Sequence, residues 1–180
     1  MNHFASVILA FALAIPALAQ DTKTNVPESN PPLDVQTTGQ FFPASAAILS
    51  APLVLTNDYF YLVGDQSEVA KGGSAIFNFN ITNAGNYVIE TLVNAPDESS
   101  NSFFLNIDAQ PEDPAMIWDI AVTSGFEKRT VSWRGNSDSS SDEIDPKRFK
   151  LAPGAHKLII VGREPGTLLK SLTIRPALPQ

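Results

Sequence analysis

Between Ala75 and Ile81 the chain places Ala75, Phe77, Phe79 and Ile81 on one parity and Asn78 and Asn80 on the other. Successive side chains of a strand point to opposite faces, so this spacing buries one face and wets the other; a helix would scatter the same residues around its circumference. The period returns at Phe103, Leu105 and Ile107, which alternate with Ser102, Phe104, Asn106 and Asp108. Further strand candidates are residues 53–63 in two pieces, 87–93, 116–121, 129–134, 148–151, 156–161 and 168–174. Turn signals separate them: Gly72-Gly73, Asn83-Ala84-Gly85-Asn86, Pro96-Asp97, Pro111 to Pro114, Pro153-Gly154 and Pro165-Gly166. No sustained helical stripe interrupts them. Short strands at this spacing predict an all-β fold of two antiparallel sheets packed face to face, a jelly roll first and an immunoglobulin-like sandwich second.

The start of the chain is different in kind. Residues 1–19 contain no Asp, Glu, Lys or Arg, and residues 4–18 form an apolar, Ala-rich run ending in Ala17-Leu18-Ala19. This is the pattern of a signal peptide cleaved before Gln20, although its n-region carries only the amino terminus and His3. A spanning helix needs about 20 apolar residues, and Pro16 interrupts this run, so a membrane anchor is the weaker reading. The expected destination is secreted or periplasmic, with no membrane insertion after cleavage. Residues 20–40, with Pro27, Pro31 and Pro32, read as a flexible spacer; residues 41–176 form the domain and 177–180 a tail. The chain contains no cysteine, which excludes disulfides, thiolate metal sites and a lipidated cysteine, so an ordinary hydrophobic core must hold the fold. A net charge of -7 on an exported protein argues against nucleic acid as a partner. The polar run 135–145, with Asp138, Asp142, Glu143 and Asp145 among serines, reads as a hydrated loop rather than a metal site.

Little here supports catalysis. Beyond the leader the one histidine is His156, so cysteine–histidine chemistry and multi-histidine metal sites are excluded, and a serine triad would have to use His156. Following Pro153-Gly154-Ala155 at the head of an apolar strand, that histidine suits a structural hydrogen-bonding role. There is no Gly-x-Ser-x-Gly elbow and no phosphate-cradling glycine loop. The aromatics are more informative, because sugars present C–H patches that stack on open ring faces while their hydroxyls need polar partners. Trp118 and Trp133 are each followed directly by a charged residue, Asp119 and Arg134, near a strand end, and Phe104 lies opposite the core-facing Phe103, Leu105 and Ile107. On spacing alone both tryptophans read as core.

The order of segments carries a resemblance. Gly85-Asn86-Tyr87, Asn94-Ala95-Pro96-Asp97, the run from Asn101 to Asp108 and the two tryptophans are followed by Leu151-Ala152-Pro153-Gly154-Ala155-His156-Lys157-Leu158 and Arg163-Glu164-Pro165-Gly166-Thr167-Leu168-Leu169. From about Phe42 to Ile174 this resembles the galactose-binding-like carbohydrate-binding modules related to families 6 and 35. The resemblance implies a jelly-roll sandwich that binds a polysaccharide or oligosaccharide in a loop-end cleft. It moves both tryptophans to that end, so that Trp118, Trp133 and Phe104 stack on sugar rings while Asn101, Asp119 and Arg134 hydrogen-bond the hydroxyls. Arg163 and Glu164 are expected at the rim as structural residues, their side chains on opposite faces of a strand end.

One departure is chemical. Such modules carry a Glu-Ala-Glu segment and a late Asp that help hold a structural calcium; the aligned positions here are Pro43-Ala44-Ser45 and Lys170. Calcium takes six to eight oxygen ligands, so no calcium or other cofactor is expected, with Lys170 standing in for the ion's charge. The leading expectation is a non-catalytic carbohydrate-binding protein travelling without a catalytic domain, with a separate enzyme or cell-surface protein as a further partner. The alternatives are a structural or protein-interaction sandwich with a closed sugar site and, third, a small secreted hydrolase or lyase.

Overall fold

In a computed structural model that describes residues 39–134 and 145–179, each alternating segment forms a strand and turns its apolar parity inward. The leader, all but the last two residues of the spacer, and the polar run apart from Asp145 lie outside the described residues. The strands are β1 (Gln40–Pro43), β2 (Ile48–Ser50), β3 (Leu53–Thr56), β4 (Tyr59–Leu62), β5 (Ser74–Ile81), β6 (Gly85–Asn94), β7 (Ser102–Ile107), β8 (Ile117–Asp119), β9 (Glu127–Thr130), β10 (Phe149–Leu151), β11 (Gly154–Gly162) and β12 (Leu168–Pro176).

Two antiparallel sheets result. A seven-stranded sheet runs β10-β6-β12-β4-β3, with β1 also paired to β12 and β9 to β6; a five-stranded sheet runs β2-β5-β11-β7-β8. The chain passes back and forth between the sheets, the crossing pattern of a jelly roll. Phe60 from one sheet and Phe77, Phe103, Trp118 and Leu158 from the other are fully buried between them. Phe103 lies at the centre, with Phe60 at 6.0 Å edge-on and Trp118 at 6.4 Å nearly parallel. Each such ring contributes about 1.5–3 kcal/mol through burial.

Two expectations need correction. The sequence suggested no strand before residue 53, yet β1 and β2 pair with β12 and β5, the longer strands that set their places. The strand expected at 129–134 lies at Glu127–Thr130, because its ladder to β6 ends at the pair Glu90↔Thr130. Val131 then turns into the core.

A smaller cluster lies on the outer side of the five-stranded sheet, where Phe104, Ile117, Ile159 and Val161 pack with Val69. Residues 64–73 lie against this face, held by Ser67 N–H donating to the Arg163 carbonyl at 2.7 Å and Gly162 N–H donating to the Gly72 carbonyl at 3.2 Å. A β-carbon on Gly72 would stand 1.9 Å from the Gly162 oxygen, so only glycine allows this approach.

Candidate functional site

At the loop end, the β7–β8 register sets Ser102 opposite Asp119, and the polar residues expected there do converge. Arg134 donates to both Asp119 oxygens at 2.7 Å. Arg163 contacts Glu164 and donates to Ser102 Oγ at 2.6 Å, while Glu164 accepts the Asn101 backbone N–H at 3.0 Å. Arg163 follows the last residue of β11, so strand alternation does not govern the pair and the two side chains meet, correcting the opposite-face expectation. Each arginine fork is thus engaged by a neighbouring carboxylate, and the ends of β7, β8 and β11 are tied together.

The rings expected to stack on sugar are not open there. Trp118 is 1% exposed, because its pleat follows that of its ladder partner Phe103 into the core. Phe104 is also 1% exposed: it points away from the main core as expected, but residues 64–73 with Val69 cover that face. A buried ring has no face for a ligand, so the stacking roles of Trp118 and Phe104 are corrected, and for Trp118 the reading from spacing alone is restored. Trp133 is half-buried: its Nε1 donates to the Leu105 carbonyl at 2.9 Å, Phe149 meets it edge-on at 5.6 Å, and the Lys147 ammonium sits 3.9 Å from its ring centre. Burial holds the Lys147 pKa below its ordinary value.

His156 is held at both ring nitrogens, Nδ1 facing Asp108 Oδ2 at 2.6 Å and Nε2 facing the Ala152 carbonyl at 2.8 Å. Two acceptors favour the doubly protonated ring, and the Asp108 hydrogen bond, then that to Ala152, raise its pKa above the ordinary 6.5. The folded state therefore binds this proton more tightly than the unfolded chain does. Its contribution is complete below about pH 6.5 and fades as pH rises through the higher folded value. In denaturant titrations the stability difference between wild type and His156→Gln should be widest near about pH 5.5 and narrower by about pH 9. A constant difference would show that the proton plays no part.

A second group of aromatic rings lies elsewhere. On β4, Phe60 and Leu62 point into the core, which turns Tyr59 and Tyr61 to the outer face of the seven-stranded sheet. Their rings lie 6.1 Å apart, Phe126 adds a third ring 5.7 Å from Tyr59, and all three are half-buried, as Trp133 is. Lys170, at the irregularity in the β12–β6 ladder, reaches over this cluster, its ammonium 5.4 Å from the Phe126 ring and 2.6 Å from Asp58 Oδ2. The next residue, Ser171, lines a groove of about 260 Å³ on the same face with Thr173, Glu90, Leu92 and Lys128. Phe41 on β1 forms one wall and is 65% exposed. Arg175 hydrogen-bonds Glu90 at 2.6 Å and holds its carboxyl below the usual carboxylate range, so it remains an anionic acceptor. The face thus offers ring faces, hydroxyls, a carboxylate and an ammonium together. Sequence reasoning missed it, although Tyr-Phe-Tyr-Leu at 59–62 already put two tyrosines on the parity opposite Phe60 and Leu62.

No protein-family model and no curated protein matches the chain. Solved structures do. A family 35 carbohydrate-binding module from Clostridium thermocellum aligns with 77% of this chain and 98% of its own at 13% identity, with a TM-score of 0.54. The chain has the fold of a family 35 carbohydrate-binding module. A second family 35 structure from Clostridium thermocellum aligns with 76% of this chain and 98% of its own, at 17% identity and a TM-score of 0.52. An exo-β-1,3-galactanase from Phanerochaete chrysosporium, solved with β-1,3-galactotriose, aligns with 76% of this chain but 29% of its own, at 13% identity and a TM-score of 0.52.

The calcium position implied by the family 35 resemblance can be tested against these residues. Pro43 pairs with Ser171, so Pro43-Ala44-Ser45 does lie beside Lys170. The segment brings no carboxylate, Ala44 is buried, and the nearby Asp58 is already bound to the Lys170 ammonium. Among the described residues no group of three His, Asp or Glu could hold a metal ion. A lysine ammonium within this shell does not fit a calcium ion.

Proposed function

We propose that the chain is an exported, non-catalytic carbohydrate-binding protein that takes a polysaccharide or oligosaccharide across the outer face of its seven-stranded sheet, without calcium. The observation that carries this reading is the pairing of the exposed Phe41 ring and the half-buried Tyr59–Tyr61–Phe126 series, all on one face, with a groove bearing Ser171, Thr173, Glu90 and Lys128. Ring faces receive the C–H patches of a sugar, and the groove supplies donors and acceptors for its hydroxyls. The fold shared with family 35 modules supports it. The non-catalytic reading is supported by His156, whose two nitrogens are both engaged, and by Asp119 and Glu164, each bound to an arginine.

The test is retention on a panel of insoluble polysaccharides and soluble oligosaccharides, with and without a chelator. Phe41→Ala and Tyr61→Ala should each weaken binding to the retained glycan about tenfold, about 1.4 kcal/mol. Phe41 is exposed, so folding stability should change by no more than about 0.5 kcal/mol in Phe41→Ala, and a urea titration of Tyr61→Ala separates lost binding from any loss of its packing on Tyr59. Retention of no glycan would sink the binding reading in favour of a protein-interaction sandwich. Unchanged binding by both variants would move the site off this face, and release by chelator would restore a metal.

A further inference from the structure

Asn80-Ile81-Thr82 is the single Asn-x-Ser/Thr triplet, with x other than proline, in the 180 residues. The pleat that buries Phe77, Phe79 and Ile81 turns Asn80 to the outer face of the five-stranded sheet, near the end of β5. Across the ladder its partner is Ala155, exposed and bearing only a methyl group. On the other side β2 pairs with β5 at Ser74, Ala75 and Ile76, so among the described residues no strand flanks Asn80 there. The Gln40 amide donates to the Asn80 backbone carbonyl at 2.6 Å, while the Asn80 carboxamide makes no hydrogen bond among the described residues. Thr82 is exposed just past the strand, beside a hollow of about 320 Å³ that Gln40, Tyr87, Ile174 and Pro176 also line.

We infer that Asn80 is an N-glycan acceptor and that its first sugar residues occupy the open edge of β5 and the adjoining hollow. The inference rests on the export reading, because the donor is a lipid-pyrophosphate-linked oligosaccharide of the secretory compartment. In the transfer, Asn80 Nδ2 bonds to the anomeric carbon of that donor and the carbon–oxygen bond to the pyrophosphate breaks. The lipid pyrophosphate leaves with the bonding electrons, and the amide proton passes to a base of the host transferase. Transfer acts on the entering chain, so the strand is no obstacle; the fold then tolerates the product because Asn80 points outward. The glycan stands on the five-stranded sheet, whereas the aromatic groove lies on the outer face of the seven-stranded one. It shields an unpaired strand edge and leaves the groove open.

Expression of the full chain in yeast tests this, once with its own leader and once with residues 1–19 replaced by a proven yeast secretion leader, reading both cells and medium. A single mobility shift removed by peptide N-glycosidase is expected. It should vanish in Asn80→Gln and Thr82→Ala, persist in Thr82→Ser, and leave glycan retention unchanged in all three. Protein that reaches the medium without the shift overturns the acceptor assignment. Protein that is shifted behind the replacement leader but neither shifted nor exported behind its own overturns the export reading alone.

Discussion

Trp118→Ala is expected to cost about 3–5 kcal/mol of folding stability, the range for emptying a large aromatic site in a packed core. The ring is 1% exposed, lies nearly parallel to Phe103 and belongs to the cluster that joins both sheets. Removing it takes away the contacts of one whole ring and leaves a cavity that β7 and β8 cannot close, because their ladder fixes Phe103 opposite position 118. A domain stable by about 5–15 kcal/mol would lose a large fraction of its margin. The check is a urea titration: the midpoint should fall steeply at an unchanged slope, and Trp118→Phe should recover part of the loss. A folded Trp118→Ala of wild-type stability that had lost only glycan binding would reverse this and return the tryptophan to a binding surface.

The sandwich was legible because a strand period survives in a single sequence. Ala75 to Ile81 and Phe103 to Ile107 read correctly, since one face of each lies in the central core and period two is the direct consequence. β1 and β2, of four and three residues, were missed, because their backbone partners β12 and β5 decide the pairing. Site residues failed for another reason. Alternation gave Phe104 its correct side, but whether that side is wet depends on residues 64–73, and their approach through Gly72 and Gly162 is a tertiary fact. Exposure of a ring follows from what covers it. Trp118 shows the reverse, since spacing pointed inward and the family resemblance drew the reading outward. Tyr59 and Tyr61 were readable by the same parity argument applied to Phe60 and Leu62, whereas Phe41 and Phe126 needed the fold to bring β1 and the segment before β9 to one face.

The Lys170 ammonium lies between Asp58 and the Phe126 ring. It also sets a donor at the margin of the aromatic series, next to Ser171 of the groove.

The second large effect is expected at Arg163. Its side chain is 14% exposed and that of Glu164 9%, and the guanidinium contacts Glu164, hydrogen-bonds Ser102 Oγ and lies 5.9 Å from the Phe104 ring centre. Arg163→Ala would leave the Glu164 carboxylate nearly buried with the Asn101 backbone N–H as its remaining donor among the described residues. Losing one partner of a buried pair costs about 3–5 kcal/mol, mostly because the other charge is then uncompensated. Arg163→Met combined with Glu164→Gln should therefore be less destabilised than Arg163→Ala, since the first removes both charges and the second strands one. Glu164→Gln alone should cost less than Arg163→Ala, because Ser102 and the solvent-facing part of the guanidinium still serve the cation. A double-mutant cycle in urea measures the coupling between the two. A cost of no more than about 0.5 kcal/mol for Arg163→Ala would show that solvent screens the pair and that backbone bonds alone hold the ends of β7 and β11 together.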